Sequence, residues 1–112
     1  MSKYKRITCN SGFSVSVQGS KTNYCSPPNN VGPYTAVELG FPSSFEELLE
    51  EYAEDRSNPT ETIYGWVPVG IVRSLVIKHG GIISGELPPF KWTDEQSFIL
   101  AESLQTHGIN HE

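Results

Sequence analysis

The stretch Ile63 to Ile83, IYGWVPVGIVRSLVIKHGGII, constrains the fold more than any other part of this chain. Ile63, Tyr64, Trp66 and Val67 are β-branched or aromatic and suit a half-buried pleated strand, and Pro68 then supplies a φ preset for a first helical turn. Val69, Ile71, Val72, Leu75, Val76 and Ile77 fall on nearly every side of a helical wheel, so the helix that follows must be covered by protein over most of its surface. Lys78 and His79 suit the negative end of its dipole, and Gly80 can adopt the left-handed conformation that closes a helix. A strand running straight into a buried helix implies a sheet with at least one helix packed on it.

The remaining elements are read by period. Ile7 and Cys9, then Phe13, Val15 and Val17, alternate with polar residues, and Asn10-Ser11-Gly12 is the turn of a hairpin with strands over 5–9 and 13–18. Val37, Leu39 and Phe41 alternate in a third strand over 35–41, and the fourth occupies 62–67. Ser44 with Glu47 forms an S-x-x-E capping box before Phe45, Leu48, Leu49, Tyr52 and Ala53, a spacing that predicts an amphipathic α-helix over 44–55. The central helix is placed at 68–79, a short edge strand at Ile82 and Ile83, and a last helix at about 94–107 after a second capping box, Thr93 to Gln96. The expected fold is therefore α+β, a small antiparallel sheet packed against two to three helices, in one domain spanning residues 1–112. From Gly19 to Tyr34 no period holds. That stretch, GSKTNYCSPPNNVGPY, is read as a long loop packed down by Tyr24, Cys25, Val31 and Tyr34.

Charge narrows the function classes. The net charge is −5, yet Lys3, Lys5, Arg6 and Lys21 lie in the first 25 residues, which hold no acid. A basic first hairpin on an acidic protein argues against general DNA binding and suits either a protected edge or a small phosphate-bearing ligand. Glu46, Glu47, Glu50, Glu51, Glu54 and Asp55 are read as a solvated helix face, or else as a surface for a basic partner. No apolar run reaches membrane length, and the charged N-terminus leads into no signal-peptide core, so a cytoplasmic protein without membrane contact is expected. Cys9 and Cys25 have no CxxC spacing and are read as packed or free thiols, and a zinc site made from them with His79 is weaker still.

The common catalytic motifs are absent: no P-loop, no dinucleotide glycine fingerprint, no GxSxG and no HExxH. His79-Gly80-Gly81 is read as a glycine-terminated helix, and nothing local supplies Cys25 with a base. What remains is a set of aromatics and cations, Tyr24, Tyr34, Tyr64, Trp66, Phe90 and Trp92 with Arg6, Arg56, Arg73 and Lys91. These are the materials of a nucleotide site, and equally those of a core with surface charges. Arg73 interrupts an apolar helix and is expected to reach a carboxylate, a ligand or the surface, a carboxylate being the favoured partner.

Four segments, ITCNSGFSVSVQ, YCSPPNNVGPYTAVELGFPS, YAEDRSNPTETIYGWVP and IKHGG, cover most of residues 6 to 81 and resemble a family of small proteins carried by phages and prophages. The family is identified as the anti-defence sponges that counter Thoeris immunity by sequestering a cyclic ADP-ribose signal. The resemblance implies a homo-oligomer, a dimer or more, that holds a nucleotide messenger intact, in the host cytoplasm for a phage-encoded protein; from the residues themselves no cofactor, no metal and no catalytic residue is expected. The family pattern carries an arginine where this chain has Pro28, which shifts the phosphate contact to Arg56 or the basic hairpin. Tyr24 and Trp66 are then the residues expected to pack a base or ribose, and Arg56, Arg73 and Lys91 those expected to hold phosphate. The alternative reading is an acidic inhibitor whose Glu46 to Asp55 face covers a basic surface on a host defence or nucleic-acid enzyme; a nucleotide hydrolase ranks last.

Overall fold

A computed structural model describes residues 3–92. Five strands, β1 (Ile7–Cys9), β2 (Ser14–Gln18), β3 (Ala36–Gly40), β4 (Ile63–Pro68) and β5 (Ile82–Ser84), form a sheet in the order β4-β3-β2-β1-β5 with antiparallel neighbours. The hairpin closes where the Cys9 amide donates to the Phe13 carbonyl at 2.8 Å, and Gly12, at φ +98°, supplies the left-handed residue the turn requires. Most of the alternation read from the sequence is the alternation of burial: Ile7, Cys9, Val15, Val17, Val37, Leu39, Tyr64 and Val67 all point into the core, but Phe41, read as the last apolar position of the third strand, lies beyond β3 at φ +52° and is exposed.

Helix α1 (Val69–Lys78) packs across the buried side, contributing Val69, Val72 and Leu75 to the same core, with Pro68 as its cap. Its far end closes as expected from two glycines. The Gly80 and Gly81 amides donate to the Ile77 and Val76 carbonyls, and both glycines take positive φ. Arg73 is exposed, and among the described residues its contact is aromatic and not a carboxylate: the guanidinium lies 5.6 Å from the ring centroid of Trp92.

One helix differs from expectation. In place of an α-helix over 44–55 there is a 3₁₀ helix, Glu47–Tyr52, capped by Glu46 and not by Ser44. The reason is tertiary. Glu46 is held extended so that its carboxylate can accept from the Leu48 amide and from two side chains at the end of α1, which leaves no room for an α-helical first turn through 44–46. At the other end Ala53 and Glu54 leave the helix to lie along β4, Ala53 bridging to Tyr64 and the Glu54 amide donating to the Ile63 carbonyl. Of the expected apolar stripe Leu49 is buried, while Phe45 is left exposed. The expected helix at about 94–107 lies outside the described residues. Among the described residues no helix is long and apolar enough to cross a membrane.

Candidate functional site

Of the four residues expected to pack down the loop from Gly19 to Tyr34, Cys25 and Tyr34 are buried in the core, while Tyr24 and Val31 are exposed. Tyr34 is fully buried, donates its hydroxyl to the Asn29 carbonyl, and fills the space over two glycines. A Cβ on Gly19 would stand 2.7 Å from its ring, and one on Gly32 2.8 Å, so the loop can close on this tyrosine only because both side chains are absent. Asn29 tightens the turn by accepting from the Val31 and Gly32 amides. The backbone of Tyr34 then binds a distant segment: its amide donates to the Pro89 carbonyl at 2.8 Å and its carbonyl accepts from the Lys91 amide at 2.7 Å.

Between these two segments lies a cleft of about 630 Å³, lined by Ser26, Pro27, Gly32, Pro33, Thr35, Phe90 and Lys91. Its walls are the rings of Pro27, Pro33 and Phe90. Ser26, Thr35 and Lys91 are its polar residues, and Lys91 is exposed. The lining carries a positive charge and no carboxylate.

The residues singled out in the sequence are distributed over three places. Tyr24 and Trp66 meet in a stacked pair, ring centroids 4.9 Å apart and 24° from parallel. The pair stands where β3 and β4 slip register between Val37 and Leu39, a bulge at which Trp66 takes φ +49° and its amide donates to the Tyr24 carbonyl at 3.0 Å. Both rings remain largely exposed. Lys91 lines the cleft; Arg73 lies over Trp92, the next residue in the chain, and Phe90 meets Trp92 edge-on. Arg56 joins neither group. It is exposed in the turn after the 3₁₀ helix, where Asp55 accepts from the Ser57 amide, the Ser57 hydroxyl and the Asn58 carboxamide, which hold its carboxyl below the usual range.

A second polar cluster was not legible as such. Glu46, read as part of a solvated acidic face, is only 3% exposed. One oxygen accepts from Lys78 Nζ at 2.8 Å and the other faces His79 Nε2 at 2.7 Å. Burial alone would raise its pKa, but the hydrogen bonds from Lys78, His79 and the Leu48 amide outweigh it and hold the carboxyl below its ordinary value. The His79 ring stacks on Phe13, centroids 4.3 Å apart, and its Nδ1 is 2.9 Å from the Ser11 hydroxyl in the hairpin turn. Only proximity across the fold makes this cluster, and no spacing in the chain announces it.

Cys9 and Cys25 are both buried and unbridged, and burial raises the Cys9 thiol pKa. Among the described residues no three His, Cys, Asp or Glu side chains are placed to share a metal ion. Comparison of the chain with protein-family models, with curated proteins and with solved structures finds no match.

Proposed function

We propose that the protein binds a small nucleotide messenger of the cyclic ADP-ribose type and sequesters it without hydrolysis, as the phage anti-defence sponges it resembles do. The observation that carries the reading is the cleft: its volume falls within the range of small-molecule sites, its walls are ring faces, and its one charge is a lysine. Proline and phenylalanine faces suit a base or ribose, the two hydroxyls suit sugar oxygens, and Lys91 suits a phosphate. Arg73, stacked over Trp92, the residue after Lys91, is a second cation for phosphate, and the exposed Tyr24–Trp66 pair offers a further stacking face. Arg56 has no place in this site. The active form is proposed to be a homo-oligomer in the host cytoplasm.

The test is thermal stabilisation by cyclic ADP-ribose isomers and cyclic oligonucleotides, followed by heat release and analysis of the nucleotide. Stabilisation with intact nucleotide recovered supports sequestration; altered nucleotide indicates turnover. Lys91→Ala should weaken binding by about 10- to 100-fold, the loss of one charge-assisted contact. Unchanged affinity in that variant would refute the placement of the phosphate. A second reading rests on Phe45, exposed beside the exposed Glu47 and Glu50: an acidic and aromatic surface for a basic protein. Reversing Glu47, Glu50 and Glu54 should abolish such inhibition and leave nucleotide capture unchanged.

A further inference from the structure

Ser11, His79 and Glu46 are linked in series, and the order of the links sets the protons. Nε2 of His79 faces a carboxylate, which has no proton to give at neutral pH, so Nε2 carries the ring hydrogen. In the neutral ring Nδ1 is then an acceptor, and the group 2.9 Å from it is the Ser11 hydroxyl. The arrangement is a hydroxyl donating to an imidazole whose opposite nitrogen is held by a buried carboxylate, which is the relation a serine nucleophile requires.

The frame is hydrogen-bonded across the fold and Ser11 lies at the surface. The Ser11 amide donates to the His79 carbonyl at 3.0 Å and the Asn10 amide to the Gly81 carbonyl at 2.9 Å, which bind the hairpin turn to the end of α1. Phe13 stacks on the imidazole and prevents it from turning. Ser11 is exposed, and the space where Cβ atoms of Gly12 and Gly81 would stand is empty.

We propose that Ser11 is an activated nucleophile that accepts an acyl group from an activated ester or thioester, with His79 as its base and Glu46 as the positioning residue. Oγ of Ser11 bonds to the acyl carbon while its proton passes to Nδ1 of His79, and Glu46 stabilises the imidazolium that forms. The bond from the acyl carbon to the leaving oxygen or sulfur then breaks, and the proton moves from Nδ1 to that leaving group. The turn offers little to the developing oxyanion, since the Gly12 amide already donates to the Cys9 carbonyl and the Phe13 amide to Ser11 Oγ. The reaction is therefore one acylation per chain and not rapid turnover. It shares no residue with the cleft and does not depend on nucleotide binding.

Incubation of the full chain with p-nitrophenyl acetate, followed by intact mass and peptide mapping, tests it. The expected product carries one acetyl group on Ser11, formed well before any on Ser57, an exposed serine bonded to a carboxylate but to no imidazole. Ser11→Ala should abolish the fast acetylation, and His79→Gln should slow it by about 100-fold, the lower range for a positioned general base. In folded Glu46→Gln the ratio of Ser11 to Lys21 acetylation should fall, a change that a purely structural carboxylate would not produce. Equal acetylation of Ser11 and Ser57 in the unmodified sequence would overturn the proposal, whatever the variants do.

Discussion

Replacing Glu46 by alanine removes one carboxylate from three donors at once, and the cost can be worked from what each donor can do afterwards. The Lys78 side chain is 34% exposed and can turn to water, so its share is that of a surface pair, about 0–1 kcal/mol. The His79 side chain is 17% exposed and fixed by Phe13, so its nitrogen loses a charge-assisted bond it cannot replace, worth about 1.5–3 kcal/mol. The Leu48 amide loses the cap of the 3₁₀ helix, about 1 kcal/mol. The total is about 2.5–5 kcal/mol, which for a domain of this size lowers Tm by roughly 10–40 °C. Urea and thermal melts followed by far-ultraviolet circular dichroism measure it, with Lys78→Ala and His79→Ala as separate variants. The order of cost should be Glu46, then His79, then Lys78. A loss below about 1 kcal/mol for Glu46→Ala, or a Lys78→Ala loss equal to it, would refute this accounting. The same carboxylate has a pH signature. Its pKa is lower folded than unfolded, so the unfolded state binds more protons, and the stability it supplies is present above the unfolded carboxylate pKa and lost as pH falls through the folded one. Glu46→Gln should remove that part of the acid limb.

Two further outcomes follow from packing. Gly85 takes φ +102°, and a Cβ there would overlap the backbone of Arg6 and Ile7, so Gly85→Ala should cost more than about 2 kcal/mol in a denaturant melt, whereas Gly12→Ala, strained but unobstructed, should cost less. Cys9 and Cys25 are buried, so both thiols should resist a maleimide in the folded protein and react on unfolding; rapid modification of Cys9 under native conditions would contradict its burial and raised pKa.

The strands and α1 were legible because each carries its period in a few adjacent residues. Val15 and Val17, Val37 and Leu39, and the apolar run after Pro68 declare a covered face wherever the chain goes. The 3₁₀ helix was not, because the capping box at Ser44 and Glu47 competes with a carboxylate whose partners, Lys78 and His79, lie 32 and 33 residues away. Trp66 reads as an ordinary strand residue, and nothing in its side chain signals a left-handed backbone at a bulge. Residue type alone points to Tyr24 and Trp66, and the structure stacks the two; residue type points equally to Arg56, which stands apart. The cleft joins residues 26–35 to 90–91, a pairing that no local pattern contains.

The order of strands also sets the order in which the domain can be completed. β1 is made first, yet one of its neighbours is β5, paired through Thr8 with Ser84, and the Glu86 amide donates to the Lys5 carbonyl beyond it. A chain emerging from the ribosome can form the β1–β2 hairpin early but leaves the outer edge of β1 uncovered until residues 82–86 have been made. Phe90 and Lys91 arrive later still. Formation of the cleft is thus tied to the end of the described chain, and a premature stop after α1 would yield a sheet with an open edge and a cleft with one wall.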